Sequence, residues 1–185
     1  ELRARGKASL LRQMVQLFAP FGVHMTVVRR SGALFPGADR TVASDRLNEV
    51  LPATDMLLVA LSLTPETIGI VGAAEIALLP DDAILVNVAR GRHVDTEAVV
   101  SAITDGTLGG AGLDVTEPEP LPAGHTLFSL PNVIVTPHCA NTDEPGRTAL
   151  SPPPPDSLRR SHPGRHRPAQ RDRAAGRRPQ RRCRV

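Results

Sequence analysis

Apolar runs that resemble buried strands alternate with segments of helical period along most of this chain. The strand-like runs are residues 23–28, 56–63, 83–88, 109–115 and 132–135. The helical segments are residues 6–22, 45–51, 73–79 and 96–104, and Pro20 with Gly22 ends the first of them. Continuous apolar strands between helices indicate a parallel sheet covered on both faces. The pattern therefore predicts an α/β, doubly wound fold.

The character of the chain changes at Ser151. Residues 151–185 hold seven of the 18 prolines and 11 Lys plus Arg against two Asp plus Glu, with no apolar period. Residues 1–150 carry 11 Lys plus Arg against 17 Asp plus Glu, so the net charge of +3 reflects the tail. A segment of this composition buries too little apolar surface to fold. We expect one folded domain over 1–150 and a disordered Arg/Pro-rich tail over 151–185.

Composition excludes several classes of function. No apolar run reaches the roughly 18 residues of a membrane span, and residues 1–7 lack a signal peptide's apolar core, so we expect a cytoplasmic protein. Cys139 and Cys183 are far apart, which indicates neither a disulfide nor a metal site. Counterion release would give the basic tail weak, salt-dependent affinity for nucleic acid, and no aromatic residue lies among its arginines to stack on bases, so nucleic acid is not expected as a partner.

Candidate chemistry follows three successive apolar runs, which end near Arg90, Glu119 and His138. In an open parallel sheet the carboxyl ends of the strands face one crevice, where ligands bind. Three ionisable side chains delivered to one edge are a plausible active site.

The segments around these residues form three ordered motifs: NVARGRHVD at 87–95, GLDVTEPEP at 112–120 and TPHCANT at 136–142. They resemble the signatures of the D-isomer-specific 2-hydroxyacid dehydrogenases, and the similarity runs from about Arg12 to Leu150. The resemblance implies a Rossmann-like domain, NAD or NADP as cofactor, and interconversion of a small 2-oxo acid and a D-2-hydroxy acid. Glyoxylate/hydroxypyruvate reductases and phosphoglycerate dehydrogenases are the nearest types. It also implies a homodimer.

The resemblance assigns a role to each of the three residues. Arg90 matches the arginine that holds the substrate and stabilises developing charge, and Arg92 is a weaker candidate. His138 matches the acid/base histidine. Glu119 matches the carboxylate that fixes the histidine tautomer, with Glu117 as its competitor. The three other histidines near the motifs or strands are expected to be surface or loop residues: His24, His93 and His125.

Cofactor contacts are implied in the same way. The resemblance places Val88 and Ala89 at the nicotinamide, Asp114 on the carboxamide, Leu61 along the dinucleotide and Ala140 over the ring. A carboxylate at Asp114 has little structural reason to end an apolar strand, which favours a ligand role. Arg29, followed by Arg30 and Ser31, ends a strand where NAD-preferring members carry an acid. An arginine there suits a 2′-phosphate, so NADP is favoured.

The chain also departs from the family. Its glycine fingerprint would fall on 6–11 (GKASLL), where only Gly6 remains, and no apolar strand precedes it, so the sheet is expected to be incomplete at the N-terminus. Both parts of the substrate domain are expected to be absent, and the tail resembles a translated shift of reading frame. The alternative function is a non-catalytic, oligomerising dinucleotide-binding remnant.

Overall fold

The computed structural model describes residues 2–140 and 182–184, which all belong to one structural unit. Its strands are β1 (His24–Arg29), β2 (Arg40–Ala43), β3 (Met56–Val59), β4 (Ile84–Asn87), β5 (Gly110–Leu113), β6 (Val133–Val135) and β7 (Arg182–Arg184). Its α-helices are α1 (Leu2–Phe18), α2 (Ala73–Ile76) and α3 (Thr96–Thr104). Short 3-10 helices occupy Ala19–Phe21, Ser44–Glu49, Leu51–Ala53, Pro65–Thr67, Gly91–His93 and Thr126–Phe128.

The strands form one parallel sheet in the order β2-β1-β7-β3-β4-β5-β6. Apolar clusters cover both faces. Leu58 and Val59, neighbours in β3, pack into different clusters because successive strand residues point to opposite faces. Val15 of α1 joins the cluster around Leu58, and Val99 of α3 joins the one around Val59. The predicted doubly wound fold is confirmed.

Local sequence explains where the two longer helices begin and end. The α3 helix starts at Asp95, whose carboxylate accepts hydrogen bonds from the amides of Glu97 and Ala98. At the other end of the sheet, α1 gives way to a 3-10 turn at Pro20 and stops at Gly22, which has a φ of 64°. The predicted helix over 6–22 therefore exists, but it begins at Leu2, so the positions matched to the glycine fingerprint lie inside a continuous helix.

Two strands were not predicted. The RTVA segment of β2 pairs with β1 from a stretch that the sequence pattern assigns to a loop. In the tail, Arg182–Arg184 pairs with both β1 and β3 and lies between them as the third of the seven strands. Three residues of the predicted tail thus form a strand. The rest of the predicted tail, and the predicted boundary at 150, lie outside the described residues.

Within the part of the chain that the structure describes, no helix is both long and apolar enough to cross a membrane. The same residues contain no cluster of three His, Cys, Asp or Glu side chains that could hold a metal ion.

Candidate active site and cofactor cavity

The carboxyl ends of β4, β5 and β6 lie side by side. Asn87, Leu113 and Val135 are in register at these ends, so the segments that follow all emerge at one edge. They carry Arg90 and His138, three residues beyond their strands. The strand ends are tied together by hydrogen bonds, because the Asp114 amide donates to the Asn87 carbonyl and the His138 amide to the Asp114 carbonyl.

His138 and Glu119 are in direct contact. Oε1 of Glu119 lies 2.7 Å from Nδ1 of His138, within charge-assisted hydrogen-bond range. The His138 side chain is 36% exposed and the Glu119 side chain 39%, so solvent and small solutes reach the pair. A carboxylate only accepts, so Nδ1 carries the proton in this contact and Nε2 is left for another partner. The sequence predicted this pairing, while its catalytic role stays a prediction.

The backbone at His138 adopts an unusual conformation. Its φ of 51° makes it the one non-glycine residue in the left-handed region among the described residues. Its amide donates to the carbonyls of Asp114 and Thr136, which holds the turn in place. Left-handed residues outside glycine persist where the surroundings fix them, and they cluster at functional sites.

Asp114 organises the turn that follows β6. Its Oδ1 accepts hydrogen bonds from the Thr136 hydroxyl and the Cys139 amide, and its Oδ2 accepts one from the Ala140 amide at 2.9 Å. Burial opposes ionisation of this carboxyl, but the hydrogen bonds from Thr136, Ala140 and Cys139 outweigh it and lower the pKa of Asp114. The expectation that this carboxylate has little structural reason to be there is therefore wrong.

A cavity of about 450 Å³ opens beside His138. Its lining combines the acid/base pair with apolar side chains: Asp114, Val115, Thr116, Glu119, Pro120, Leu121, Phe128, Val135, Thr136, Pro137 and His138. Among the described residues around this cavity, Arg90 is not part of the lining. Its guanidinium instead donates to the Ala89 carbonyl at 2.6 Å, in an exposed position. The structure thus brings Glu119 and His138 together, while the Arg90 guanidinium is hydrogen-bonded to the carbonyl of the preceding residue.

A second cavity, of about 270 Å³, lies by the ends of β1 and β3. Arg29, Arg30 and Leu61 line it together with largely aliphatic residues such as Leu47 and Ile70. The Arg29 guanidinium lies 3.5 Å from the Ala33 carbonyl oxygen, and the Arg30 guanidinium lies 3.9 Å from the Glu66 carboxylate on the surface. Two of the three residues predicted at the β1 end, Arg29 and Arg30, therefore border this cavity. The third, Ser31, accepts a hydrogen bond from the Ala33 amide.

The remaining predicted cofactor residues lie at the edge shared by β4 and β6. The Val88 amide donates to the Val59 carbonyl, Ala89 is buried, and Ala140 is held by Asp114. The cofactor roles of Val88, Ala89 and Ala140 stay predictions.

Residues 7–140 match the family model described as D-isomer specific 2-hydroxyacid dehydrogenase, NAD binding domain. The chain belongs to this family.

Curated relatives and solved structures that are similar to this chain include members of the same family. Glyoxylate reductase of Thermococcus gammatolerans is 39% identical over 132 residues, which are 70% of this chain and 39% of that protein. Phosphoglycerate dehydrogenase of Lactobacillus plantarum has a TM-score of 0.65 at 33% identity, covering 68% of this chain and 40% of its own. The NADPH-dependent glyoxylate/hydroxypyruvate reductase of Sinorhizobium meliloti, in complex with NADP and sulfate, has a TM-score of 0.62 at 34% identity. It covers 67% of this chain and 40% of its own. This family member thus spans about two fifths of the length of these relatives.

The sequence pattern missed three features of this 2-hydroxyacid dehydrogenase domain. His93, expected at the surface, is fully buried, and its Nδ1 lies 3.1 Å from the Arg90 carbonyl. His125 is mostly buried and lies 3.5 Å from Glu97 through its Nε2. Asn87 is fully buried at the end of β4, where it holds the turn that leads to Arg90. A polar residue at the last position of an apolar strand was the available signal for Asn87.

Proposed function

We propose that this domain binds NADP or NAD and transfers a hydride between the cofactor and a small 2-oxo acid or D-2-hydroxy acid. The observation that carries the proposal is the 2.7 Å contact between Glu119 and His138 at the carboxyl edge of the sheet. Membership of the family and its reductase relatives give the reaction class.

The cavity beside Arg29 suits the adenosine end of a dinucleotide. Its aliphatic lining can cover a flat base, and two guanidinium groups border it where the ribose would lie. Arginine at the end of the second family strand suits a 2′-phosphate, which favours NADP over NAD. The solved Sinorhizobium relative holds NADP. On this proposal, Arg29, Arg30 and Ser31 face the ribose and Leu61 runs along the dinucleotide.

The nicotinamide end would lie at the edge formed by Val88, Ala89, Asp114 and Ala140. When bound there, the reduced cofactor supplies a hydride to the carbonyl carbon of the substrate. Arg90 holds the substrate carboxylate with a planar pair of donors and stabilises the charge that develops on the carbonyl oxygen. For this the guanidinium must exchange the Ala89 carbonyl for the substrate.

His138 gives a proton to that oxygen as the hydride arrives and takes it back in the reverse direction. Because Nδ1 donates to Glu119, the proton is transferred at Nε2. Glu119 keeps the ring in one tautomer and orientation, and it stabilises the imidazolium form by its negative charge.

Oxidation of NADPH in the presence of glyoxylate or hydroxypyruvate tests the function. We expect turnover by the wild-type chain and a loss of about 10²- to 10⁴-fold in kcat for His138→Ala, the usual range for a removed acid/base group. Turnover that persists in His138→Ala would contradict the assigned role.

A second candidate is a non-catalytic dinucleotide-binding module. It is favoured by the Arg90 guanidinium, which donates to the Ala89 carbonyl and is not part of the lining of the cavity beside His138. NADPH binding with no turnover of either acid would select this candidate. We further propose that the protein is a cytoplasmic homodimer. Sedimentation equilibrium would measure its oligomeric state.

A further inference from the structure

The carbonyl of Arg90 is a meeting point of hydrogen-bond donors. Nδ2 of Asn87 donates to it at 3.0 Å, Nδ1 of His93 lies 3.1 Å away, and the His93 amide donates at 3.2 Å. Both side chains are fully buried. Since a carbonyl can only accept, the His93 ring carries its proton on Nδ1.

The same two residues extend this arrangement to their neighbours. Oδ1 of Asn87 accepts from the Ala89 amide, so one side chain holds the peptides on both sides of the Ala89–Arg90 pair. The His93 carbonyl accepts from the amide of Val71, a residue that lines the cavity beside Arg29. The turn at Arg90 is therefore fixed from β4 and from the wall of that cavity.

The backbone of the turn also packs tightly against the loop that leads to Glu119. A Cβ at Gly91 would lie 1.9 Å from the Thr116 carbonyl oxygen, so the two backbone segments are in contact without a side chain between them. The position of Arg90 relative to the Glu119 loop is thus set by backbone contact, and this leaves the guanidinium as the part of Arg90 that is able to move.

We propose that Asn87 and His93 are positioning residues that act through Arg90. They immobilise its backbone so that the guanidinium reaches the substrate carboxylate from one fixed origin. Misplacing a binding group by about an ångström can cost about a hundredfold in rate, so a loose turn weakens substrate capture even when the arginine is present. This inference rests on the proposed function for Arg90.

Two variants of His93 separate hydrogen bonding from packing. His93→Leu keeps apolar volume and removes the donor, whereas His93→Asn places an amide nitrogen near the position of Nδ1. We expect His93→Leu to raise KM for glyoxylate about tenfold or more, with a smaller change in kcat and no change in NADPH affinity. His93→Asn should recover most of the lost affinity. Equal KM values for the two variants would overturn the proposal.

A double-mutant cycle tests whether the effect passes through Arg90. In an Arg90→Ala background, His93→Leu should have little further effect on kcat/KM, because coupled residues are not additive. Full additivity would show that His93 acts elsewhere.

A measurement that needs no turnover distinguishes this inference from the proposed function. The ¹⁵N spectrum of the histidine rings in the full chain should show His93 protonated at Nδ1, and an Nε2-protonated ring would overturn the proposal. A wild-type chain with that tautomer but with neither turnover of glyoxylate nor binding of oxamate beside NADPH would refute the proposed function and, with it, the role of Arg90 that the positioning serves.

Discussion

At the scale of single residues, the carboxylate of Glu119 has one close contact that can be tested. It lies 2.7 Å from Nδ1 of His138, while Glu117, two residues earlier, is exposed and offers a matched control. We expect Glu119→Gln to lower kcat for glyoxylate reduction by about 10- to 100-fold, because the amide no longer balances the charge of the imidazolium. Glu117→Gln should leave kcat unchanged. Equal effects of the two substitutions would contradict the assignment.

Asp114 yields a prediction about stability and pH. The pKa of Asp114 is lowered below its ordinary value of 3.8, since hydrogen bonds from Thr136, Ala140 and Cys139 outweigh the opposing effect of burial. A lowered folded-state pKa stabilises the fold above the unfolded value, and that stability is lost as the pH falls through the folded value. Asp114→Asn leaves an amide group facing a backbone donor and should cost about 1–3 kcal/mol at pH 7.

Thermal unfolding of wild type and Asp114→Asn at pH 7 and near pH 3 checks this expectation. The difference in Tm should be large at pH 7 and should shrink as the pH falls below 3.8. A difference that is independent of pH would show that the charge of Asp114 contributes nothing.

At the scale of elements, the Arg90 turn and the Glu119 loop pack so closely that Gly91 leaves no room for a side chain. A Cβ at Gly91 would lie 1.9 Å from the Thr116 oxygen, whereas one at Gly112 in β5 would meet nothing closer than Val86 at 3.8 Å. We expect Gly91→Ala to lower the free energy of unfolding by about 2 kcal/mol or more. Gly112→Ala should be neutral or slightly stabilising, because alanine loses less entropy than glycine. Chemical denaturation of both variants tests this, and similar values would contradict the packing.

The elements also show how far the sequence pattern reaches. Strands β3 to β6 were predicted because each is an apolar run bounded by turn residues, and α3 because residues 96–104 have a helical apolar period. The β2 strand was missed because four residues carry too short an alternation. The place of Arg182–Arg184 in the sheet depends on a gap between β1 and β3, and no local pattern encodes such a gap.

In the candidate site, too, the features carried by local motifs could be predicted, and those that depend on contacts between distant segments could not. The Glu119–His138 pair could be predicted because motif spacing fixes both residues. The burial of His93 could not, because it depends on a segment from an earlier part of the chain, whose Val71 amide donates to the His93 carbonyl. The structural role of Asp114 was hidden for a similar reason, since its partners all come after the next strand.

At the scale of the whole molecule, one parallel sheet brings two cavities to its carboxyl side. One is bordered by Arg29 and Arg30, and the other by Glu119 and His138. A dinucleotide bound along this side would contact the arginines at its adenosine end. Its nicotinamide would then lie beside the acid/base pair, where hydride transfer takes place.

Calorimetric titration of the full chain with NADPH and with NADH most directly tests the claim that the carboxyl edge of the sheet holds the cofactor. We predict saturable binding of NADPH, tighter than that of NADH, and a reversal of this preference in Arg29→Asp, because an acid accepts hydrogen bonds from the ribose 2′-hydroxyl and repels a 2′-phosphate. If neither dinucleotide bound at millimolar concentration, or if Arg29→Asp left their relative affinities unchanged, the claim that this edge of the sheet holds the cofactor would be contradicted.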